Sequence, residues 1–189
     1  MGLQLLTAPT AQPVSLEVAK EHLRIAPDDT DLDAEVGRLI RSATARAEKI
    51  TQRALAVQSW RLILDRFPRG AISIPLPPLK SVEAITYMDA TGAEQALDES
   101  AFVVNPYGLI GQITPAMGKC WPVTAPQAMA LKVDFTAGYD DLPDDIAAAI
   151  LLLIGNLDQN REAVTTGTVS VVPLGVDALL SPYCIPSLP

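Results

Sequence analysis

The sequence predicts an α+β protein, in which a small helical bundle carries an inserted antiparallel β-sheet and ends in an extended C-terminal tail. Apolar residues recur with a helical period up to about residue 52 and again over 142–161, whereas a period of two prevails over 57–136. Eight of the 16 prolines lie within residues 67–78 and 173–189, which indicates turns and extended segments there. We therefore expect one main domain over 14–162.

Two helices are predicted near the N-terminus. Residues 1–13 mix Leu with Thr, Pro and Gln without periodicity, so we expect an extended arm. Ser15 is suited to cap a first helix over 15–25, which ends before Pro27. A second helix is predicted over 30–52, because its apolar residues keep a helical period: Leu32, Val36, Leu39, Ile40, Ala43, Ala47 and Ile50.

The β insertion is predicted over residues 57–136. Trp60, Leu62 and Leu64 alternate along the chain, as expected for a strand with one buried face. Several further segments of similar pattern follow, separated by turn residues. The prolines over 75–78 would remove ladder hydrogen bonds from a central strand, so this segment is expected at a sheet edge.

A third helix, apolar on nearly all sides, is predicted over 142–161. Pro143 suits the first helical position, and Asp144 and Asp145 face the positive end of the helix dipole. Its apolar run is too short to span a bilayer, so we expect no membrane contact. A helix of this kind needs cover from several directions, and a neighbouring copy is one source. The candidate subunit-interface residues are Ile146, Ile150, Leu151, Leu153, Ile154 and Leu157.

The segment 163–189 differs in character from the rest of the chain. It is small, polar and proline-rich, so we expect it to be an extended tail whose removal leaves the fold intact. One β-branched run in it either adds a strand to a partner's sheet edge or folds back on its own sheet. The candidate partner-docking residues are Thr168, Val169, Ser170, Val171, Val172 and Leu174.

Composition argues against several classes of function. The net charge of -8 repels phosphate backbones, so nucleic acid is a poor direct partner. With two cysteines, Cys120 and Cys184, a disulfide framework is not expected, and a reducing compartment is favoured. The first ten residues lack the basic segment of a secretory signal, so we expect synthesis in the host cytosol.

No catalytic, cofactor or metal site is predicted. Asp29, Asp31 and Asp33 have the spacing of a calcium loop, but Ala34 and Ile40 stand where that loop requires Gly and Glu. An acid-rich helix start is the favoured interpretation. His22 is the single histidine, which limits triad and zinc chemistry, and a structural role is favoured for it. For Cys120, a packed or idle thiol is favoured.

Two enzyme-like interpretations remain open at this stage. Acidic residues are plentiful, so a carboxylate pair for glycoside hydrolysis is possible in principle, although nothing singles out a pair. Five aromatic residues are compatible either with a sugar-stacking platform or, as we favour, with core packing. These are Trp60, Tyr87, Tyr107, Trp121 and Tyr139.

The order of short motifs is more informative than any one of them. Along the chain these motifs are Leu16 to Arg24, Glu48 to Thr51, Gln58 to Leu62, Ile74 to Pro78, Ser81-Val82, Tyr87 to Gly92, Thr136 to Tyr139, Leu142-Pro143 and Asn160 to Glu162. Over residues 14–162 this order resembles the head-tail connector (adaptor, or head completion) family of long-tailed bacteriophages, prophages and gene transfer agents. Leu157 departs from the family pattern, which more often has an aromatic residue there.

The resemblance implies a non-enzymatic virion protein, made in the cytoplasm of a bacterial host and located at the head-tail interface. It implies a ring of about twelve copies below the portal protein, with tail-side connector or tail terminator proteins as further partners. DNA would pass through the ring without specific binding. The alternatives are a carboxylate-dependent hydrolase acting on cell-wall sugars and a cellular α+β ligand-binding domain.

Overall fold

The computed structural model describes residues 1–160 and 174–185. The chain divides into two compact units, each built from two separate stretches of sequence. The β unit contains Met1–Thr10 and Ala56–Asp140, and the helical unit contains Ala11–Leu55 and Asp141–Pro189. The predicted α+β class with antiparallel pairing is confirmed.

The helical unit contains four α-helices among the described residues. They are α1 (Leu16–His22), α2 (Asp33–Thr51), α3 (Asp144–Gln159) and α4 (Leu174–Leu180), and a 3-10 turn, Ser181–Tyr183, follows α4. As expected, Ser15 caps α1, and its hydroxyl accepts a 3.3 Å hydrogen bond from the Val18 N–H. No helix in residues 1–160 or 174–185 is long and apolar enough to cross a bilayer.

The β unit contains eight strands, which form two antiparallel sheets. The strands are β1 (Gly2–Thr7), β2 (Gln58–Leu64), β3 (Ile72–Ile74), β4 (Leu79–Met88), β5 (Glu94–Ala96), β6 (Phe102–Asn105), β7 (Gly111–Pro115) and β8 (Leu131–Ala137). One sheet has five strands in the order β1-β2-β8-β4-β5, and the other has three in the order β3-β7-β6.

The β8 strand lies at the centre of the larger sheet and supplies most of its buried face. Phe135 lies opposite Trp60, and Leu62 lies opposite Val133; Leu62, Val133 and Phe135 are fully buried. On the other face, Asp134 accepts two 2.7 Å hydrogen bonds, from Nε and Nη2 of Arg61. These bonds raise the pKa of the Arg61 guanidinium and fix the register of β2 against β8.

Two parts of the predicted architecture are wrong. A single inserted sheet was expected, but Ile72 and Ile74 pair with β7 in a second sheet and are fully buried there. The predicted helix over 142–161 was expected to be the last, but α4 follows it inside the predicted extended tail. In both cases the structure is decided by packing between distant segments, and local periodicity contains no information on that packing.

The N-terminal segment also differs from a free arm. Residues Gly2–Thr7 form β1, which pairs antiparallel with β2 at one edge of the five-stranded sheet. The free side of β2 offers a row of backbone donors and acceptors, and a short uncharged segment can use them whatever its own periodicity.

We expect Gly138→Ala to lower the free energy of unfolding by more than about 2 kcal/mol. Gly138 has φ +126°, and a Cβ at this position would overlap the backbone carbonyl of Ala56. The measurement is urea unfolding followed by circular dichroism. Gly70→Ala is the matched control, because no atom lies within 4 Å of the Cβ it would add. Equal stability of the two variants would contradict this account of the β8 end.

Candidate functional site

The α3 helix forms the centre of the helical unit. It packs against α1, α2 and α4 of the same unit. One stripe of its apolar side chains is buried by these contacts: Ile146, Ala149, Ile150, Leu153 and Ile154. The helix therefore receives much of its cover from its own chain.

Helix α4 supplies part of that cover. Val176 and Leu180 lie one helical turn apart on α4, and both are fully buried. Gly175 lies close to α3, since a Cβ there would be 3.6 Å from the Leu152 side chain. A segment that lacks a long apolar pattern thus completes the core of the helical unit.

The residues after α4 are held at the end of α2. The Ile185 N–H donates a 3.2 Å hydrogen bond to the carbonyl of Thr51, and Nε of Arg53 donates a 2.6 Å hydrogen bond to the carbonyl of Tyr183. The Cys184 thiol also contacts this region, at 3.5 Å from the Ile50 carbonyl. Residues 174–185 of the predicted tail are therefore integrated into the fold, and we now expect removal of 163–189 to destabilise the helical unit.

The predicted subunit-interface residues have two different environments. Ile146, Ile150, Leu153 and Ile154 are buried within the helical unit, so they are not free to contact another chain in this fold. Leu151 and Leu157 are half-buried, and Leu157 borders a cavity of about 200 Å³ together with Arg38 and Asn160. Of the six candidate interface residues on α3, only Leu151 and Leu157 therefore remain accessible to another chain.

The predicted docking run, residues 168–172, lies outside the described residues. The backbone of Leu174 begins α4, and its side chain also lies outside them.

Leu180→Ala should lower the free energy of unfolding by about 2–4 kcal/mol, because it removes buried side-chain volume from the contact between α3 and α4. Leu152→Ala is the matched control, since Leu152 is 40% exposed and should cost much less. Thermal or urea unfolding measures both. If Leu180→Ala cost no more than the control, α4 would not belong to the core.

A buried lysine organises the acidic run before α2. Lys20 is 4% exposed, and its Nζ donates three hydrogen bonds: 2.9 Å to the Pro27 carbonyl, 2.6 Å to the Asp29 carbonyl and 2.8 Å to Asp33 Oδ1. The Asp31 N–H in turn donates to Asp29 Oδ1. The run that has calcium-loop spacing therefore binds an internal ammonium group at the start of a helix.

Within residues 1–160 and 174–185, no three His, Cys, Asp or Glu side chains converge as metal ligands would. In the second acidic group, over 140–145, Asp140 pairs with the ammonium of Lys80, while Asp144 and Asp145 occupy the first turn of α3.

Lys20→Met should lower the free energy of unfolding by about 3 kcal/mol, because three acceptors lose their buried cation. Lys49→Met, at an exposed position of α2, is the control and should change stability by less than about 0.5 kcal/mol. Denaturant titration gives both values. If the two variants were equally stable, the three hydrogen bonds of Lys20 would not be what stabilises the segment before α2.

The single histidine lies in an open cavity of about 420 Å³ in the helical unit. Its other lining residues include Arg24, Gly155 and Asp158. A Cβ on Gly155 would be 3.4 Å from Nε2 of His22, so the imidazole packs close to the backbone of α3. His22 is therefore a packing neighbour of α3, and Asp158 is the one carboxylate among the described residues that line the cavity.

The aromatic residues do not form one platform. Trp121 stacks on Phe67 with ring centroids 4.9 Å apart, and Tyr87 meets the same Phe67 edge-on at 5.5 Å. The Trp121 indole N–H donates a 2.8 Å hydrogen bond to the Gly70 carbonyl. By contrast, Tyr107 is 96% exposed, at the turn between β6 and β7.

Among the exposed apolar residues of the β unit, two groups lie in uncharged runs of the sequence, and neither group was predicted. The strand patch consists of Leu3, Leu5 and Leu6 on β1, which are 41–43% exposed. The hairpin patch lies on β6 and the turn between β6 and β7, and each of its members is more than half exposed. Its members are Val103, Tyr107 and Leu109.

The sequence contains a signal for both patches. Residues 1–16 and 100–118 contain no Asp, Glu, Lys, Arg or His, although 19% of the whole chain is Asp, Glu, Lys or Arg. Exposed apolar residues in long uncharged runs are typical of protein–protein contact surfaces. The geometry of the described residues thus favours assembly over catalysis.

The chain is similar to solved structures from gene transfer agent particles. The chain is similar to one from the neck of an empty gene transfer agent particle, computed with six-fold symmetry: the TM-score is 0.79 and the identity 29%, over 97% of this chain and 95% of that chain. A chain from the virion of the native gene transfer agent particle matches over the same shares with TM-score 0.77 and 27% identity.

A third chain, from the neck of the native particle computed with twelve-fold symmetry, matches with TM-score 0.74 and 26% identity, again over 97% and 95%. No protein-family model and no curated protein sequence matches the chain.

Proposed function

Because this chain is a head-tail connector protein of the bacteriophage and gene transfer agent type, we propose that its ring joins the portal end of the head to the tail. The carrying observation is its similarity, over almost the full length of both chains, to chains from gene transfer agent necks. Its role is structural and not enzymatic. The virion is its place of action.

A ring of about twelve copies is the assembly that we propose. In its support, the similar neck chains come from reconstructions with six-fold and twelve-fold symmetry. Copies in a cyclic ring contact each other head to tail, so each copy must present two different surfaces to its two neighbours. The ring is made from chains synthesised in the bacterial host cytoplasm.

The partners that we propose are the portal protein on one side and a tail-side connector or tail terminator protein on the other. The β-branched run 168–172 is suited to adding a strand to an exposed sheet edge of such a partner, because alternating side chains would fix its register. Leu151 and Leu157 on α3 are the interface candidates that stay at least partly accessible. Leu151 and Leu157 belong to the helical unit.

DNA passes through the ring without specific binding in this proposal. Its support is the net charge of -8 on each copy, which lowers the affinity of the protein for a polyanion and favours sliding.

The hydrolase and ligand-binding alternatives have no supporting observation. Among the described residues, the cavities lined by Asp65, by Asp158 and by Leu157 each have at most one carboxylate, whereas glycoside hydrolysis requires two.

We expect Val169→Asp/Val171→Asp to reduce the number of tailed particles by at least about tenfold in producing cells that lack the native gene. Charged side chains at alternate positions would oppose burial of this run in a partner sheet, while α4 and its buried residues are retained. Electron microscopy of the lysate counts joined particles, free heads and free tails.

The matched control is Thr165→Asp/Thr166→Asp, which adds the same charge a few residues earlier. It should complete particles almost as well as the wild-type chain. If the two valine substitutions also left tailed particles at wild-type numbers, the docking role of this run would be wrong. If cells without the gene joined heads to tails normally, the connector function itself would be wrong.

A further inference from the structure

We propose that neighbouring copies in the ring contact each other through the strand patch of one copy and the hairpin patch of the next. This inference rests on the proposed ring and adds its contact surfaces. Both patches belong to the β unit, so the proposed ring contact lies on that unit.

The strand patch lies on an exposed sheet edge. β1 pairs with β2 on one side, and among the described strands none pairs with its other side. Leu3 and Leu5 lie opposite Leu62 and Trp60, so they extend the apolar face of the sheet beyond its buried part. An edge strand with exposed leucines and no charged residue invites pairing with another chain, and stable proteins keep such edges covered.

The hairpin patch lies at the edge strand β6 and the turn that follows it. The Tyr107 N–H donates a 3.1 Å hydrogen bond to Asn105 Oδ1, which shapes the turn and leaves the phenol ring almost fully exposed. Leu109 lies in the same turn and is 54% exposed, as is Val103 on β6. Tyr is enriched in protein interfaces and Lys, Glu and Asp are depleted, as they are here.

The distribution of charge favours a second copy as the partner for these patches. Every copy has a net charge of -8, so copies repel each other wherever acidic surfaces meet. The uncharged runs 1–16 and 100–118 contain both patches, and they allow contact without that repulsion. A head-to-tail ring needs two different surfaces for each copy, and the β unit presents two.

Disulfide crosslinking in assembled particles tests the contact. Leu5→Cys/Tyr107→Cys is introduced in a Cys120→Ser background, which removes the exposed native thiol and leaves the half-buried Cys184. Particles are purified from cells that lack the native gene, oxidised and separated on a non-reducing gel. We expect a ladder of multimers, because each copy would be linked to both neighbours, whereas Leu5→Cys alone should give no ladder beyond a dimer.

The matched control is Val18→Cys/Tyr107→Cys in the same background. Val18 is 44% exposed, close to the value for Leu5, but it lies on α1 outside both patches. If particles contain the chain in their necks and the two double variants crosslink equally, the inference is overturned and the connector function stands. If the wild-type chain is absent from particle necks, the connector function and the inference both fail.

A charge pair provides the second test. Leu5→Lys and Tyr107→Glu should each lower the number of assembled necks by at least about tenfold. The double variant should restore at least half of the wild-type number, because the introduced ammonium group of one copy would meet the introduced carboxylate of the next. The purified single variants should keep the wild-type melting temperature, since both side chains are exposed. Normal assembly by either single variant, or no recovery in the double variant, would overturn the inference.

Discussion

Burial of the α3 helix by three helices of the same chain is the interaction on which the helical unit depends. Ile146, Ile150, Leu153 and Ile154 form its buried stripe, and α4 brings Val176 and Leu180 into the same core. The chain therefore does not need a neighbour to cover this stripe. Contacts between copies have to use other surfaces. The exposed leucines of the strand patch and the exposed Tyr107 ring, all on the β unit, are suited to such contacts.

The excess of acidic residues acts differently at different positions. In the run before α2, Lys20 collects two backbone carbonyls and the Asp33 carboxylate, so part of the acidic charge serves the internal structure. Most of the remaining acids face solvent and set a repulsive field between copies. Assembly of like-charged copies then depends on surfaces from which charge is absent, which is the arrangement seen in residues 1–16 and 100–118.

Much of the local structure could be predicted from the sequence. The helix predicted over 30–52 is observed as Asp33–Thr51, and the one over 142–161 is observed as Asp144–Gln159. Helical period and capping residues are local signals, so they can be recognised without knowledge of the tertiary structure. The head-tail connector resemblance is confirmed by the similar neck chains. It used the order of motifs over residues 14–162, which does not depend on knowing which segments meet.

The rest depended on contacts between distant segments. The pairing of β1 with β2 and the division into two sheets require knowledge of which strands meet, which a period of two does not contain. The short α4 helix has two buried residues and no long apolar pattern, so it looked like part of a tail. Missing α4 also made α3 look uncovered, and four buried residues were therefore assigned to a subunit interface.

Hydrogen exchange of the isolated chain and of the chain in assembled necks tests this account most directly. The account predicts that amides of α3 exchange equally slowly in both states, because their cover comes from α1, α2 and α4. Amides of β1 and of the β6–β7 hairpin should exchange more slowly only after assembly. Fast exchange of α3 in the isolated chain, with protection gained in the neck, would contradict it.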